Sequence, residues 1–188
     1  SVCLLTSCGA TNLKPVKQED DIENALKTQL LVSTLLMTPV VYKLSYSFLP
    51  PHFFVSGVCS SPWAAFLCVG SGLWGGCLIG FVTEYYTSFS YKPVQEVSLA
   101  NRTGAATGII YGLALGYKSV IVPVVTLAAI SFGAHSLAGF YGIALSALGM
   151  LSTLATCLAI DVYGPVCDNA GGIAEMCELH PSVREKTD

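Results

Sequence analysis

Apolar residues run along this chain in long uninterrupted stretches, with polar residues gathered in short islands between them. "QLLVSTLLMTPVVYKLSYSFL" covers 29–49, "WAAFLCVGSGLWGGCLIGFVTEYY" covers 63–86, and "GAATGIIYGLALGYKSVIVPVVTLAAISF" covers 104–132. A fourth stretch follows a short break at "GAHS" and runs over 137–168. Each reaches the roughly 20 mostly apolar residues that a helix needs to cross a bilayer. The pattern predicts an all-α, polytopic transmembrane helix bundle, a single transmembrane unit over 1–188. It has about four spanning helices (29–49, 63–86, 104–132, 137–168) and a partial one at the N-terminus. Pro39 is expected to kink the first span. Trp63 at one end of the second and Tyr85 and Tyr86 at the other form an aromatic belt. Residues 50–62, with Pro50, Pro51 and Pro62, read as a turn-rich connector.

Composition sharpens this reading. Charged residues make up 11% of the chain and mean hydropathy is +0.62, whereas a soluble domain carries about 25% charge. The net charge of −3 comes without a basic block, which excludes nucleic acid as a partner and leaves membrane lipid as the surroundings. The eight cysteines contain no C-x-x-C pair and lie mostly inside apolar runs, where a thiol behaves as a small hydrophobe. The chain opens inside an apolar run and stops at "VREKTD", and it reads as an internal fragment.

Basic residues orient the bundle. Lys14, Lys17 and Lys27 precede the first span, Lys92 and Arg102 lie between the second and third, and Arg184 and Lys186 follow the fourth. The other two connectors have none. With four crossings all three basic islands fall on one side, which the positive-inside rule makes the cytosol. Gly104, Gly108, Gly112 and Gly116 repeat every four residues, as do Gly72, Gly76 and Gly80. Small residues at this spacing let helix backbones approach closely in lipid.

The candidate chemistry lies where the fourth run ends, in "DVYGPVCDNAGGIAE". Asp161, Asp168 and Glu175 are seven apart and share one helix face. Asp168 with Asn169 offers oxygen ligands for a hard cation such as Mg²⁺, which prefers one or two carboxylates plus substrate phosphates. Solvated acids at a helix end are the plain alternative. Glu84 lies at the cytosolic end of the second span and reads as an interface carboxylate. Lys118 lies about halfway along the third, where a charge needs a partner or hydration. His52, His135 and His180 are isolated and lack metal-ligand spacing.

"DVYGPVCDNAGGIAEM" followed by "VREKTD" resembles the signature of membrane-bound, ion-translocating inorganic pyrophosphatases. "FVTEYYTS", "RTGAATG", "GLALGYKSVIVP" and "YGIALSALGMLST" resemble its vacuolar, proton-pumping branch. The resemblance implies a fold of about sixteen helices working as a homodimer, with Mg²⁺ and pyrophosphate held at the cytosolic face by inner-ring helices. It implies Mg²⁺ as cofactor, K⁺ as an activator in some members, and a vacuolar or other acidic-organelle membrane. Asp168 would then be a ligand of Mg–pyrophosphate, with Asn169 and Asp161 as weaker candidates. Most of the family's catalytic residues would lie outside these 188 residues, so the fragment alone is expected to be inactive. Val162 replaces the family's Ala, Gly108 stands at an Asn position of the proton-pumping branch, and Lys186 replaces an Arg. A secondary transporter with broken helices and a non-catalytic truncated product are the alternative readings.

Overall fold

The computed structural model describes residues 5, 6, 9, 20–55 and 57–187, excepting the side chains at 20–23, 157, 159–161 and 185–187. The partial N-terminal helix expected from the sequence lies largely outside the described residues. The elements run α1 (Asp20–Phe48), β1 (Phe53–Val55), β2 (Val58–Ser60), α2 (Pro62–Thr87), α3 (Lys92–Asn101), α4 (Ala105–Leu151), α5 (Leu154–Met176) and α6 (Pro181–Thr187). The architecture is a membrane helix bundle. Among the described residues three helical stretches are long and apolar enough to cross a bilayer: Asn24–Phe48, Pro62–Asn101 and Ala105–Thr156. Two compact units form, one from Thr34–Ser152 and one from Ser1–Ser33 with Thr153–Asp188.

In the Thr34–Ser152 unit, local chemistry sets where helices begin. Ser61 caps α2, its hydroxyl accepting the Ala64 N–H at 3.3 Å, and Pro62 takes the first helical position. An N–H is unpaired at that position in any helix, so proline costs nothing there. Gly104 begins α4 with a φ of 146° that suits glycine.

Helix α4 is 47 residues long, or about 70 Å if straight, more than twice the hydrocarbon thickness. It is not straight. Ala138 (φ −148°, ψ 21°) and Gly139 (φ 60°, ψ −146°) leave the helical region, and the second half folds back on the first. A Cβ on Gly142 would meet the Ala134 carbonyl oxygen. The reversal therefore lies at 138–139, not at the expected 133–136. Residues 133–136 hold no proline and stay helical, with the Ser136 hydroxyl donating to the Phe132 carbonyl at 2.9 Å. A second departure falls inside the fourth expected span. The Ser152 hydroxyl donates to the Gly149 carbonyl at 2.6 Å and the helix is interrupted at 152–153, so 137–168 is not one continuous helix.

Helix α2 packs against both halves of α4. The Cys68 thiol points at the Ala134 carbonyl at 3.9 Å, and Gly75 lies against Ile130, so α2 and the first half run antiparallel. Gly72 lies against Ser146 and Gly76 against Met150, so the second half runs parallel to α2. Cys68, Ala134 and Ala138 are buried together, with Tyr141 and Leu145 packed on them. Helix α1 joins through polar and aromatic contacts. The Trp74 indole N–H donates to Thr38 Oγ1 at 3.2 Å, and Tyr42 meets Phe66 edge-on at 5.3 Å.

The connector over 50–62 contains more order than its prolines suggest. Strands β1 and β2 pair antiparallel, Phe53 opposite Ser60 and Val55 opposite Val58. The hairpin sits at the α4 reversal, with Phe53 edge-on to Tyr141 at 6.0 Å and Val58 against Gly139. Outward-facing side chains on α4 are mostly apolar, among them Ile109, Leu113, Ile121, Val124 and Val125. That surface suits lipid or further helices and does not suit water.

Candidate functional site

Helix α5 carries the acidic motif. It begins after Thr153, whose side chain makes no cap hydrogen bond, and Pro165 lies within it. It ends on a 6→1 closure, the Leu179 N–H donating to the Ala174 carbonyl at 3.0 Å. Glu178 takes a φ of 51° to make that closure, a position usually filled by glycine. The short α6 follows. His180 precedes it, its Nδ1 accepting the Ser182 N–H at 3.3 Å with the Ser182 hydroxyl 2.9 Å away.

Asp168 and Asn169 lie on α5 with both side chains exposed. Asp168, Gly171, Gly172 and Glu175 stand at i, i+3, i+4 and i+7 and share one face of the helix. The glycine pair leaves a bare strip of backbone between the two carboxylates. Arg184 reaches back from α6 onto this strip, Nη1 donating to Glu175 Oε2 at 2.7 Å and to the Gly171 carbonyl at 3.1 Å. Asp161 is helical, and its side chain lies outside the described residues.

The face offers a hard cation oxygen ligands in an accessible place. It fits Mg²⁺ as part of a site, because magnesium binds through one or two carboxylates and fills its other positions with water and phosphate oxygens. Among the described residues no group of three His, Cys, Asp or Glu side chains comes together to hold a metal. A two-metal site would need acidic ligands beyond these.

Glu84 and Lys118 belong to the Thr34–Ser152 unit. Glu84 is half-buried near the end of α2, where its carbonyl accepts the Ser88 N–H at 2.8 Å. Lys118 is exposed, thirteen residues after Ala105 on α4 and so about 20 Å along it. The Arg184 clamp was not foreseen from the sequence. The signal for it was an arginine nine positions after Glu175 with a helix break and Pro181 between them.

Apolar helices of this length define a multi-pass integral membrane protein. Sequence comparison says which kind. The family described as inorganic H⁺ pyrophosphatase matches over residues 1–188, and the chain belongs to that family. Its relatives are ion pumps by name. It is 43% identical over 177 residues to the K⁺-stimulated pyrophosphate-energized sodium pump of Thermotoga maritima, covering 92% of this chain and 24% of the relative. It is 37% identical over 184 residues to the K⁺-insensitive pyrophosphate-energized proton pump 2 of Moorella thermoacetica, covering 92% of this chain and 26% of that one. A K⁺-insensitive pyrophosphate-energized proton pump of Methanosarcina mazei is 46% identical over 119 residues, 59% of this chain and 18% of the relative. The chain thus spans about a quarter of the length of the first two.

Proposed function

We propose that this chain is a segment of a primary pump that couples Mg²⁺-dependent pyrophosphate hydrolysis to proton transport across a membrane. The observation that carries the proposal is the exposed Asp168–Asn169 pair at the head of the bare Gly171–Gly172 face of α5. Asp168 would hold Mg²⁺ of a Mg–pyrophosphate complex, with Asn169 and Asp161 as weaker contributors. When bound, Mg²⁺ neutralises phosphate charge and lowers the pKa of a bound water. The chain's own part is to present a carboxylate at the point where the helix leaves the apolar layer. The exposed side chain leaves that carboxylate open to pyrophosphate arriving from water.

The basic islands, read with four crossings, support a cytosolic position for this end of α5. Proton specificity and a vacuolar or other acidic-organelle membrane rest on the motifs that resemble the vacuolar branch. The named relatives include both sodium and proton pumps. K⁺ is an activator candidate, since the named relatives include both K⁺-stimulated and K⁺-insensitive pumps. The working form would be a homodimer of the full-length protein. The segment alone would be inactive, because among the described residues no three ligating side chains come together for two-metal chemistry.

The test is Asp168→Asn in the complete pump, assayed for Mg²⁺-dependent pyrophosphate hydrolysis. Activity should fall sharply. Full activity in this variant would remove Asp168 from the site. Vesicle acidification followed with a proton-sensitive dye, against ²²Na⁺ uptake, separates proton from sodium transport.

A further inference from the structure

Helix α6 has seven residues, too few for a helix to hold in water unaided. Its anchor is Arg184. One guanidinium nitrogen bridges two acceptors a helical turn apart on α5, the Gly171 carbonyl and the Glu175 carboxylate. Gly171 itself is buried, and with no Cβ at 171 or 172 the guanidinium reaches the backbone directly. The two acceptors lie on the helix face that carries Asp168.

This stretch of α5 is the part least able to keep its own shape. Gly164, Pro165, Gly171 and Gly172 all fall within it, and glycine and proline are the poorest helix formers. The Arg184–Glu175 pair is an unconvincing source of global stability, because its side chains are 42% and 75% exposed and ion pairs in water contribute little. Its geometry is more telling. A clamp across the glycine pair fixes the pitch of the turn that follows Asp168, and hence the direction in which that carboxylate points.

We propose that Arg184 is a positioning residue for the Asp168 site, acting through Glu175 and the Gly171 carbonyl. The proposal rests on the pyrophosphate reading of Asp168. Both bonds leave Nη1, whose two N–H groups are held in the rigid guanidinium plane, whereas the donors of a lysine ammonium rotate freely on a flexible stem.

The experiment uses the complete pump with Arg184→Lys, Glu175→Gln and the double variant. Each single variant should raise KM for Mg–pyrophosphate about five-fold with kcat within about two-fold, the signature of lost binding geometry. The double variant should be no worse than the worse single, because both break one clamp. Spin labels at positions 173 and 183 should give a narrow distance distribution in the parent and a broadened one in each single variant.

An unmoved KM, or additive effects in the double variant, would overturn the proposal. So would broadened distances with normal KM, which would make the clamp merely structural. Should Asp168→Asn retain full hydrolysis, the reading of the site falls by that result. The distance distributions then still decide whether Arg184 fixes α6 on α5.

Discussion

Gly149 stands so close over Val69 that a Cβ added to it would meet the Val69 carbonyl oxygen and the Leu73 nitrogen. Gly72, on the facing helix, is closed in the same way by the Ser146 backbone. The obstacles are backbone atoms in both cases and cannot swing aside. Gly72→Ala and Gly149→Ala should each destabilise the complete pump by about 1–3 kcal/mol, the usual cost of overpacking. A thermal-inactivation series in detergent would show it as a lowered midpoint. Gly80→Ala is the control. Nothing lies within 4 Å of its added Cβ, so its midpoint should hold or rise slightly, alanine being the better helix former.

This pair also shows how far the sequence was legible. Hydrophobic runs announced a membrane helix bundle, because a bilayer demands about 20 apolar residues whatever the neighbours are. The i, i+4 glycines identified Gly72 and Gly76 as packing positions. They did not identify the partner. Gly72 and Gly76 meet Ser146 and Met150, while Gly112 and Gly116 of the other repeat have nothing within 4 Å. Spacing says which face is small, and only the fold says what approaches it. The reversal at Ala138–Gly139 was misplaced for a related reason, since Gly133, His135 and Ser136 are all tolerated in a helix. The β1–β2 hairpin was hidden by the flanking prolines. On α5, residue type and position single out Asp168 as the candidate. The Arg184 clamp depends on the angle between α5 and α6, which no residue pattern states.

Thr38 and Trp74 offer a polar test of the α1–α2 contact. The indole N–H donates to Thr38 Oγ1 at 3.2 Å, and that hydroxyl donates onward to the Thr34 carbonyl at 2.9 Å. Interhelical hydrogen bonds in membranes average about 0.6 kcal/mol. Thr38→Val and Trp74→Phe should each cost about that much beyond any change in packing. In a double-mutant cycle on the inactivation midpoint they should be non-additive by a similar amount. Additive losses would mean that the bond contributes nothing to holding α1 on α2.

Metal dependence follows from the chemistry of the Asp168 face. With Glu175 engaged by Arg184 and Asp168 left as the carboxylate on offer, Mg²⁺ should be held jointly with pyrophosphate and should wash out with chelator. Excess EDTA should abolish hydrolysis, and readdition of Mg²⁺ should restore it. Asp168→Asn should shift the Mg²⁺ activation curve to about ten- to a hundred-fold higher concentration. Losses of that size follow removal of outer-shell partners of a metal, and a direct ligand should cost no less. An unshifted curve with reduced turnover would instead assign Asp168 to a step after metal binding.

Glu178 closes α5 in a left-handed conformation at φ 51°, and the Leu179 N–H depends on it to reach the Ala174 carbonyl at 3.0 Å. A side chain in this region pays about 1–2 kcal/mol because its Cβ crowds the following carbonyl oxygen. Glycine pays no such cost and is the usual residue at this position of a helix end. Part of the gain returns as backbone entropy, since glycine has more freedom to lose when the chain orders. Glu178→Gly should therefore tighten the α5 terminus by about 1 kcal/mol. Local opening free energy sets amide exchange, so the Leu179 amide should exchange about five-fold more slowly. The ion pair of Glu175 with Arg184 lies one turn earlier and should be unaffected, so hydrolysis should keep its KM. Faster exchange at Leu179 in the glycine variant would show that the Glu178 side chain itself supports the turn.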